Sequence, residues 1–237
     1  MKKFAAIFLT LALIFSLTAC FAELPTVDYN CSAAPFTEKN DKHELRVYYP
    51  IITGHENSDA LNETLKAAAL AYMENYLTYT ASDGYYTYEI GTVSATLQHP
   101  DVVSFLCHGS YFEENAPHPT AVVYTLNLDL RDGTLMEFAD LVSDFPALAD
   151  RFEKGKFSYI SGFDELMSHT TYADMIGQYD ETYGIYPPAY LLADGNDIML
   201  AFSIELAFTL GGHAEFAIDI DDIKKSLGGK ITELFYQ

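Results

Sequence analysis

Pro117-His118-Pro119-Thr120-Ala121-Val122-Val123-Tyr124-Thr125-Leu126-Asn127-Leu128-Asp129-Leu130-Arg131-Asp132-Gly133-Thr134-Leu135-Met136-Glu137-Phe138-Ala139-Asp140-Leu141 carries the pattern that decides the fold. After the rigid Pro-His-Pro corner, Val122, Tyr124, Leu126, Leu128 and Leu130 share one face. Val123, Thr125, Asn127 and Asp129 share the other. That alternation predicts a strand with one buried and one wetter face. Asp132-Gly133 closes the strand, because glycine takes positive φ without a steric penalty. Leu135, Phe138 and Leu141 then predict a short helical turn back toward the core. A strand so apolar on one face needs a sheet beside it and a helix over it.

Upstream, Leu45, Val47 and Tyr49 alternate with Arg46 and Tyr48 before Pro50, the pattern of an edge strand. Ser58 is the expected N-cap of a helix, with Asp59 and Glu63 near its positive end. Leu61, Leu65, Ala68, Tyr72, Met73 and Tyr76 place one apolar stripe on that helix, which should run to about Tyr79. Residues 85–98 and 102–112 read as strands joined at His99-Pro100-Asp101, and 120–131 continues the meander. Helical spacing recurs at 148–157 and 163–176, and residues 179–188 form an acidic, tyrosine-rich loop ended by two prolines. Strands at 190–192, 198–202 and 214–220 and a short helix after Asp221 close the chain. The expectation is an α+β fold: an antiparallel meander sheet with a long helix packed on one face and an inserted helical, Tyr-rich segment.

The N-terminus reads as a targeting segment. Lys2-Lys3 precedes an apolar run too short to span a membrane comfortably. Leu17-Thr18-Ala19-Cys20 has the form of a lipobox, with Cys20 as the residue that receives the diacylglycerol; an ordinary signal peptide cleaved after Ala22 is the alternative. Two acyl chains anchor stably at about 0.8 kcal/mol per buried methylene. The expected organisation is a lipoprotein signal peptide at 1–19, a tether at 20–43 holding Pro25 and Pro35, and an extracytoplasmic domain at 44–237. With Cys20 acylated, Cys31 and Cys107 remain as a possible disulfide pinning tether to sheet; otherwise Cys107 is a small buried hydrophobe.

The chain has 34 acids against 13 bases, a formal charge of −21, with 18 tyrosines and 16 phenylalanines among its apolar half. That composition supports a packed core rather than a disordered acidic tail. Such a chain is a poor nucleic-acid binder and is repelled by anionic lipid head groups. Its charge partner is a cation or a basic protein. The charge is also patterned: no Lys or Arg lies between Lys66 and Arg131, or between Lys156 and Lys224, where seven and twelve acids fall. Solubility alone would account for that, but base-free surface also makes a coherent negative field that speeds capture of a basic partner.

No catalytic constellation stands out: there is no Gly-x-Ser-x-Gly, no His-Glu-x-x-His and no phosphate-cradling glycine loop. The expectation is therefore a protein that is not an enzyme and carries no cofactor and no metal. His99, His108 and His118 are the histidines nearest one another. His118 between its prolines reads either as a fixed contact residue or as a hydrogen-bonded corner.

Several of these pieces together resemble a family. His118-Pro119, the strand ending Asn127-Leu128-Asp129-Leu130, the Asp-Gly turn and Leu135-x-x-Phe138-x-Asp140-Leu141 resemble the lysozyme-binding domain of RsiV-type anti-sigma factors. They also resemble the N-terminal module of some peptidoglycan deacetylases. Tyr48-Tyr49-Pro50 with Asn62 on the following helix, and 197–202 with Leu210-Gly211-Gly212-His213-Ala214-Glu215-Phe216, extend the likeness over residues 44–227. The deacetylase chemistry belongs to a separate catalytic domain, whose metal motifs this sequence lacks. The resemblance implies a surface-anchored, extracytoplasmic binding domain for a basic protein such as lysozyme, with membrane attachment through its lipid. A module binding cell-wall glycan, or an envelope enzyme, is the alternative. Glu113, Glu114, His118, Tyr179, Asp180, Glu181 and Tyr183, from the base-free stretches, are the candidate contact residues.

Overall fold

A computed structural model describes residues 24–81, 84–162 and 164–237. The expected signal peptide and Cys20 lie outside the described residues. A first sheet holds β1 (Asn30–Lys39), β2 (His43–Thr53), β3 (Tyr86–His99), β4 (Val102–Glu113), β5 (Thr120–Asp129) and β6 (Thr134–Leu135), in that order. Helix α1 (Ser58–Thr80) crosses over between β2 and β3, which are consequently parallel; the other neighbours are antiparallel. A second, antiparallel sheet takes β7 (Ser158–Ser161), β8 (Ala189–Asp194), β9 (Asp197–Glu205) and β10 (His213–Asp219), in the order β7-β10-β9-β8. Short helices α2 (Phe138–Leu141), α3 (Phe145–Glu153), α4 (Tyr172–Ile176) and α5 (Gly229–Tyr236) complete the α+β fold.

The two sheets pack face to face between two helical layers. Leu61, Leu65, Ala69 and Met73 of α1 bury against Leu45, Val47, Phe105, Cys107, Tyr124 and Leu126 on the outer face of the first sheet. The stripe is thus the expected one, but Ser58 is not its cap: Asn57 holds that position, and the Ser58 hydroxyl donates to His55 O at 2.6 Å. Asn62 fixes the helix to β2, since Ile52 N donates to its Oδ1 at 2.7 Å and its Nδ2 donates to Ile52 O at 2.9 Å. On the far side, Leu200, Phe202, Phe216 and Ile218 bury beneath α2, α3 and α5 among Leu141, Phe145, Leu148, Phe152 and Ile231.

The layer between the sheets overturns the expected wet face of the central strand. Val123 packs with Leu106, Tyr190, Ala201 and Ala217, while Asn127 and Asp129 are 3% and 1% exposed. Asn127 Nδ2 donates to Ala189 O at 2.9 Å. Leu191 N donates to Ser104 Oγ at 3.0 Å, and Thr96 Oγ1 donates to Leu191 O at 2.7 Å. Side chains of the first sheet thereby satisfy the outer edge of β8, which would otherwise carry orphaned backbone groups. Thr96 reaches that far because it is a bulge: Ala95 pairs with Phe105 and Leu97 with Ser104, leaving Thr96 as the extra residue. A second bulge at Gly91 bends β3 so closely over β4 that a Cβ on Gly109 would meet Glu89 O at 1.8 Å.

Three further expectations are corrected. The stretch read as tether is a strand for ten of its residues, with β1 pairing along β2 from Asn30↔Thr53 to Lys39↔Glu44. Its side chains are mostly exposed, so neither periodicity nor apolar content announced it. Cys31 and Cys107 are unbonded. They sit on β1 and β4, three strand spacings apart, or about 14 Å. A disulfide needs Cα atoms within about 7 Å. The inserted segment 145–187 is also more broken than its helical spacing suggested, because β7 interrupts it.

Candidate functional site

Three depressions along the open rim of the two sheets merge into one groove. The middle one, of about 250 Å³, is lined by His118, Thr120, Ala121, Glu205, Gly212 and His213. Toward the β4–β5 turn it continues past Tyr111, Glu113, Ala116 and Thr80. Toward the second sheet it runs between Tyr72 and Tyr76 of α1 and Tyr179, Ile185 and Tyr186 of the tyrosine-rich loop. All of these residues belong to the two base-free stretches of the chain. Segments more than a hundred residues apart in sequence therefore fold into one surface with, among the described residues, no lysine or arginine in its lining.

Local structure fixes each wall. Tyr72 stacks on Tyr124 at 4.4 Å between ring centroids and donates to Val123 O at 3.1 Å. Tyr76 packs against Tyr88 and Tyr111 at 5.6 Å each. Tyr186 stacks on Phe138 at 4.1 Å. Tyr179 is tied to the end of β9, its hydroxyl accepting from Glu205 N at 3.0 Å. Burial pushes the Tyr72 and Tyr179 phenols up to about 12, and the Glu205 carboxylate adds to the rise at Tyr72, Tyr76 and Tyr179. Glu205 is thus within electrostatic reach of three of the four tyrosines, and among the described residues no cation pairs with its side chain.

Of the residues singled out from sequence, Glu113, His118 and Tyr179 line the groove. The Tyr111 hydroxyl bonds the Glu113 carboxylate. His118 Nδ1 lies 3.2 Å from Pro119 O, so the corner reading and the contact reading meet in one exposed residue. Glu114, Asp180, Glu181 and Tyr183 are exposed neighbours in the chain that do not line it. Asp180 caps the short turn Glu181–Tyr183 by accepting from Thr182 N at 2.8 Å, which leaves Tyr183 78% exposed beside Ile185 at 50%.

Behind the groove lies a polar cluster that sequence reasoning missed. Glu215, 4% exposed, accepts from Ser203 Oγ at 2.8 Å and from the Tyr190 hydroxyl at 3.0 Å. His213 Nδ1 is 3.1 Å from the same Ser203 Oγ, and His108 Nε2 is 4.0 Å from Glu215 Oε1. Burial raises the Glu215 carboxyl above the usual carboxylate range, against the lowering effect of its two hydrogen bonds. Burial, with His108 adding to it, pushes His213 down to about 4. One signal was present in sequence: His213 and Glu215 are two apart and so share a face of β10, where the register sets Ser203 across from Glu215. The serine, buried and bonded by the carboxylate directly, does not stand in the nucleophile–imidazole–carboxylate order that would activate it. His99 packs on Phe235 at 5.3 Å, far from His108 and His118, and no metal-holding group of three or more His, Cys, Asp or Glu occurs among the described residues.

No family profile matches the sequence, and no curated protein does. Solved structures do. A DUF3298 family member from Bacteroides fragilis aligns at a TM-score of 0.51 and 15% identity, covering 88% of this chain and 98% of the other. A DUF3298 family protein from Pseudomonas aeruginosa aligns at 0.47 and 12%, covering 87% and 97%. The fold is similar to that of the Bacteroides DUF3298 protein. At that identity the likeness concerns architecture, and nothing about the groove transfers with it.

Proposed function

We propose that the chain is a surface-anchored bacterial lipoprotein whose extracytoplasmic domain binds a basic protein such as lysozyme, and that it acts by binding rather than by catalysis. The observation that carries this reading is the convergence of both base-free stretches on one groove lined by four tyrosines, with the exposed Glu205 among them. Tyrosine offers large contact area at the cost of two side-chain torsions, and a negative field steers a cationic partner. The RsiV-like pattern in the sequence supports an envelope domain of this type. Anchoring through Cys20 would hold that groove at the outer face of the membrane, and among the described residues no helix is long and apolar enough to cross it.

The test is calorimetric titration of the purified protein with lysozyme at low and at physiological salt. Screening over about 8 Å at physiological ionic strength removes long-range attraction but leaves buried contacts. Saturable binding that survives physiological salt supports the reading. Binding lost entirely at that salt leaves only a generic acidic surface and favours cell-wall glycan as the ligand.

A further inference from the structure

Glu205 is the last residue of β9, opposite His213 in the β10 register, and it projects where the groove passes between α1 and the tyrosine-rich loop. Its own main chain is held on both sides: Glu205 N donates to the Tyr179 hydroxyl, and Glu205 O accepts from Gln178 Nε2 at 2.9 Å. The carboxylate is therefore positioned by a fixed backbone while making no ion pair among the described residues. Around it, in a depression of about 250 Å³, stand the rings of Tyr72, Tyr76, Tyr179 and Tyr186. Aromatic rings beside an unopposed carboxylate favour an organic cation over water and over an inorganic ion, since rings attract positive charge and offer apolar contact besides. A guanidinium suits this lining better than an ammonium. It is planar, stacks on aromatic rings, and distributes five N–H donors among several oxygens; the compact, strongly hydrated ammonium does not. Here those oxygens are the Glu205 carboxylate and the phenol hydroxyls.

We propose that this part of the groove receives the guanidinium of one arginine side chain, presented by the basic partner, among the four tyrosines and against Glu205. The proposal rests on the binding reading above and names the side chain that anchors it. No arginine of this chain lies in either stretch that builds the groove, so the seat is left for a guanidinium from outside.

The experiment uses Nα-acetyl-arginine methylamide as probe, with the citrulline analogue as its neutral counterpart and the lysine analogue as the ammonium. NMR titration of the purified protein should show saturable shifts at the amides of Tyr179, Glu205 and His213 for the arginine probe, at about millimolar affinity. The citrulline probe should leave them unmoved, and the lysine probe should bind more weakly. Glu205→Gln should weaken the arginine probe by about tenfold or more without altering melting temperature, because the removed charge is exposed. Equal response to arginine and citrulline, equal affinity for arginine and lysine, or indifference to Glu205→Gln overturns the proposal. The two readings fail separately. Lysozyme bound equally by wild type and Glu205→Gln, with a silent arginine probe, removes the arginine seat and keeps the basic partner. A responsive probe with no lysozyme binding does the reverse.

Discussion

Asn127 and Ala189 join the two sheets: the amide of the one donates to the carbonyl of the other at 2.9 Å, on residues 62 apart in sequence. The Ser104 hydroxyl bonds the Asn127 Oδ1 in turn and accepts from Leu191 N. Asn127→Ala should therefore orphan a buried carbonyl and a buried hydroxyl, at about 1–3 kcal/mol each. Asn127→Asp should cost about 3 kcal/mol or more, since it sets a carboxylate against Ala189 O in a dry layer. Leu126→Asp, facing α1 on the other side of β5, should be comparably severe. Denaturant unfolding of the three variants checks this; an Asn127→Asp midpoint equal to wild type would restore the wet face that the sequence pattern suggested.

The Glu215 cluster should make stability depend on pH in two opposing ways. His213 is held well below its ordinary 6.5, at about 4, so the folded protein refuses a proton that the unfolded chain accepts. Its contribution is present above pH 6.5 and is lost as pH falls through 4. Glu215 is raised, so its contribution is present below the ordinary glutamate value and is lost as pH rises through its folded value. Relative to wild type, His213→Gln should gain about 1–2 kcal/mol between pH 6.5 and 4, allowing for solvent on its groove side. Glu215→Gln should be more stable than wild type at neutral pH, with the gain shrinking in acid. Urea midpoints measured from pH 4 to 8 decide both.

Much of the fold was legible because its strands and long helix alternate by simple rules. Leu61, Leu65 and Met73 on α1, and Val122, Tyr124, Leu126 and Leu128 on β5, could be assigned to one core from spacing alone. What spacing does not carry is what lies on the other side of a sheet. Thr96, Ser104 and Asn127 look like solvent-facing polar residues in sequence, and only the position of β8 turns them into donors and acceptors between the sheets. Likewise β1 is exposed along most of its length, so its strand state comes from pairing with β2 and leaves no hydrophobic period. The groove was half legible. Base-free composition marked its segments, but Tyr72, Tyr76 and Glu205 join it through the crossover of α1 and the end of β9, which are properties of topology.

Cys31 and Cys107 should remain thiols in the folded protein. Burial pushes them up to about 11 and about 12, so neither is an effective nucleophile near neutral pH. Both should fail to react with a thiol reagent under native conditions within minutes and react fully once the chain is unfolded. Non-reducing peptide mapping that recovers a Cys31–Cys107 linked pair would contradict the strand order β1-β2-β3-β4.

Cys20 should be the site of lipid attachment. Leu17-Thr18-Ala19 places small residues directly before the thiol at the end of the apolar run, the arrangement at which a diacylglycerol transferase and its peptidase would act on the thiol and on the preceding bond. Cys20→Ser should abolish incorporation of a fatty-acid analogue in growing cells and release the domain or leave it unprocessed. Undiminished label in the variant would mean that the ordinary signal-peptide alternative, with cleavage after Ala22, describes this terminus better.

Tyr179 and Tyr183 should separate the structural and contact roles that the tyrosine-rich loop combines. Tyr179 packs against the core beneath the second sheet and accepts from Glu205 N, so Tyr179→Ala should lower both stability, by about 2 kcal/mol or more, and lysozyme affinity. Tyr183 is held out by the turn that Asp180 caps, with Gly184 at φ 67° reversing the chain behind it. A ring that exposed contributes little to folding, so Tyr183→Ala should leave the melting temperature within about 1 °C of wild type while weakening a partner that covers the loop. Asp180→Ala should act differently again, loosening the turn and reducing affinity through the misplacement of Tyr183 by less than Tyr183→Ala itself. Calorimetric melting alongside lysozyme titration for the three variants checks the order. Full lysozyme affinity in Tyr183→Ala, with loss only where melting temperature also falls, would move the contact surface off this loop and onto the Glu113 and His118 end of the groove.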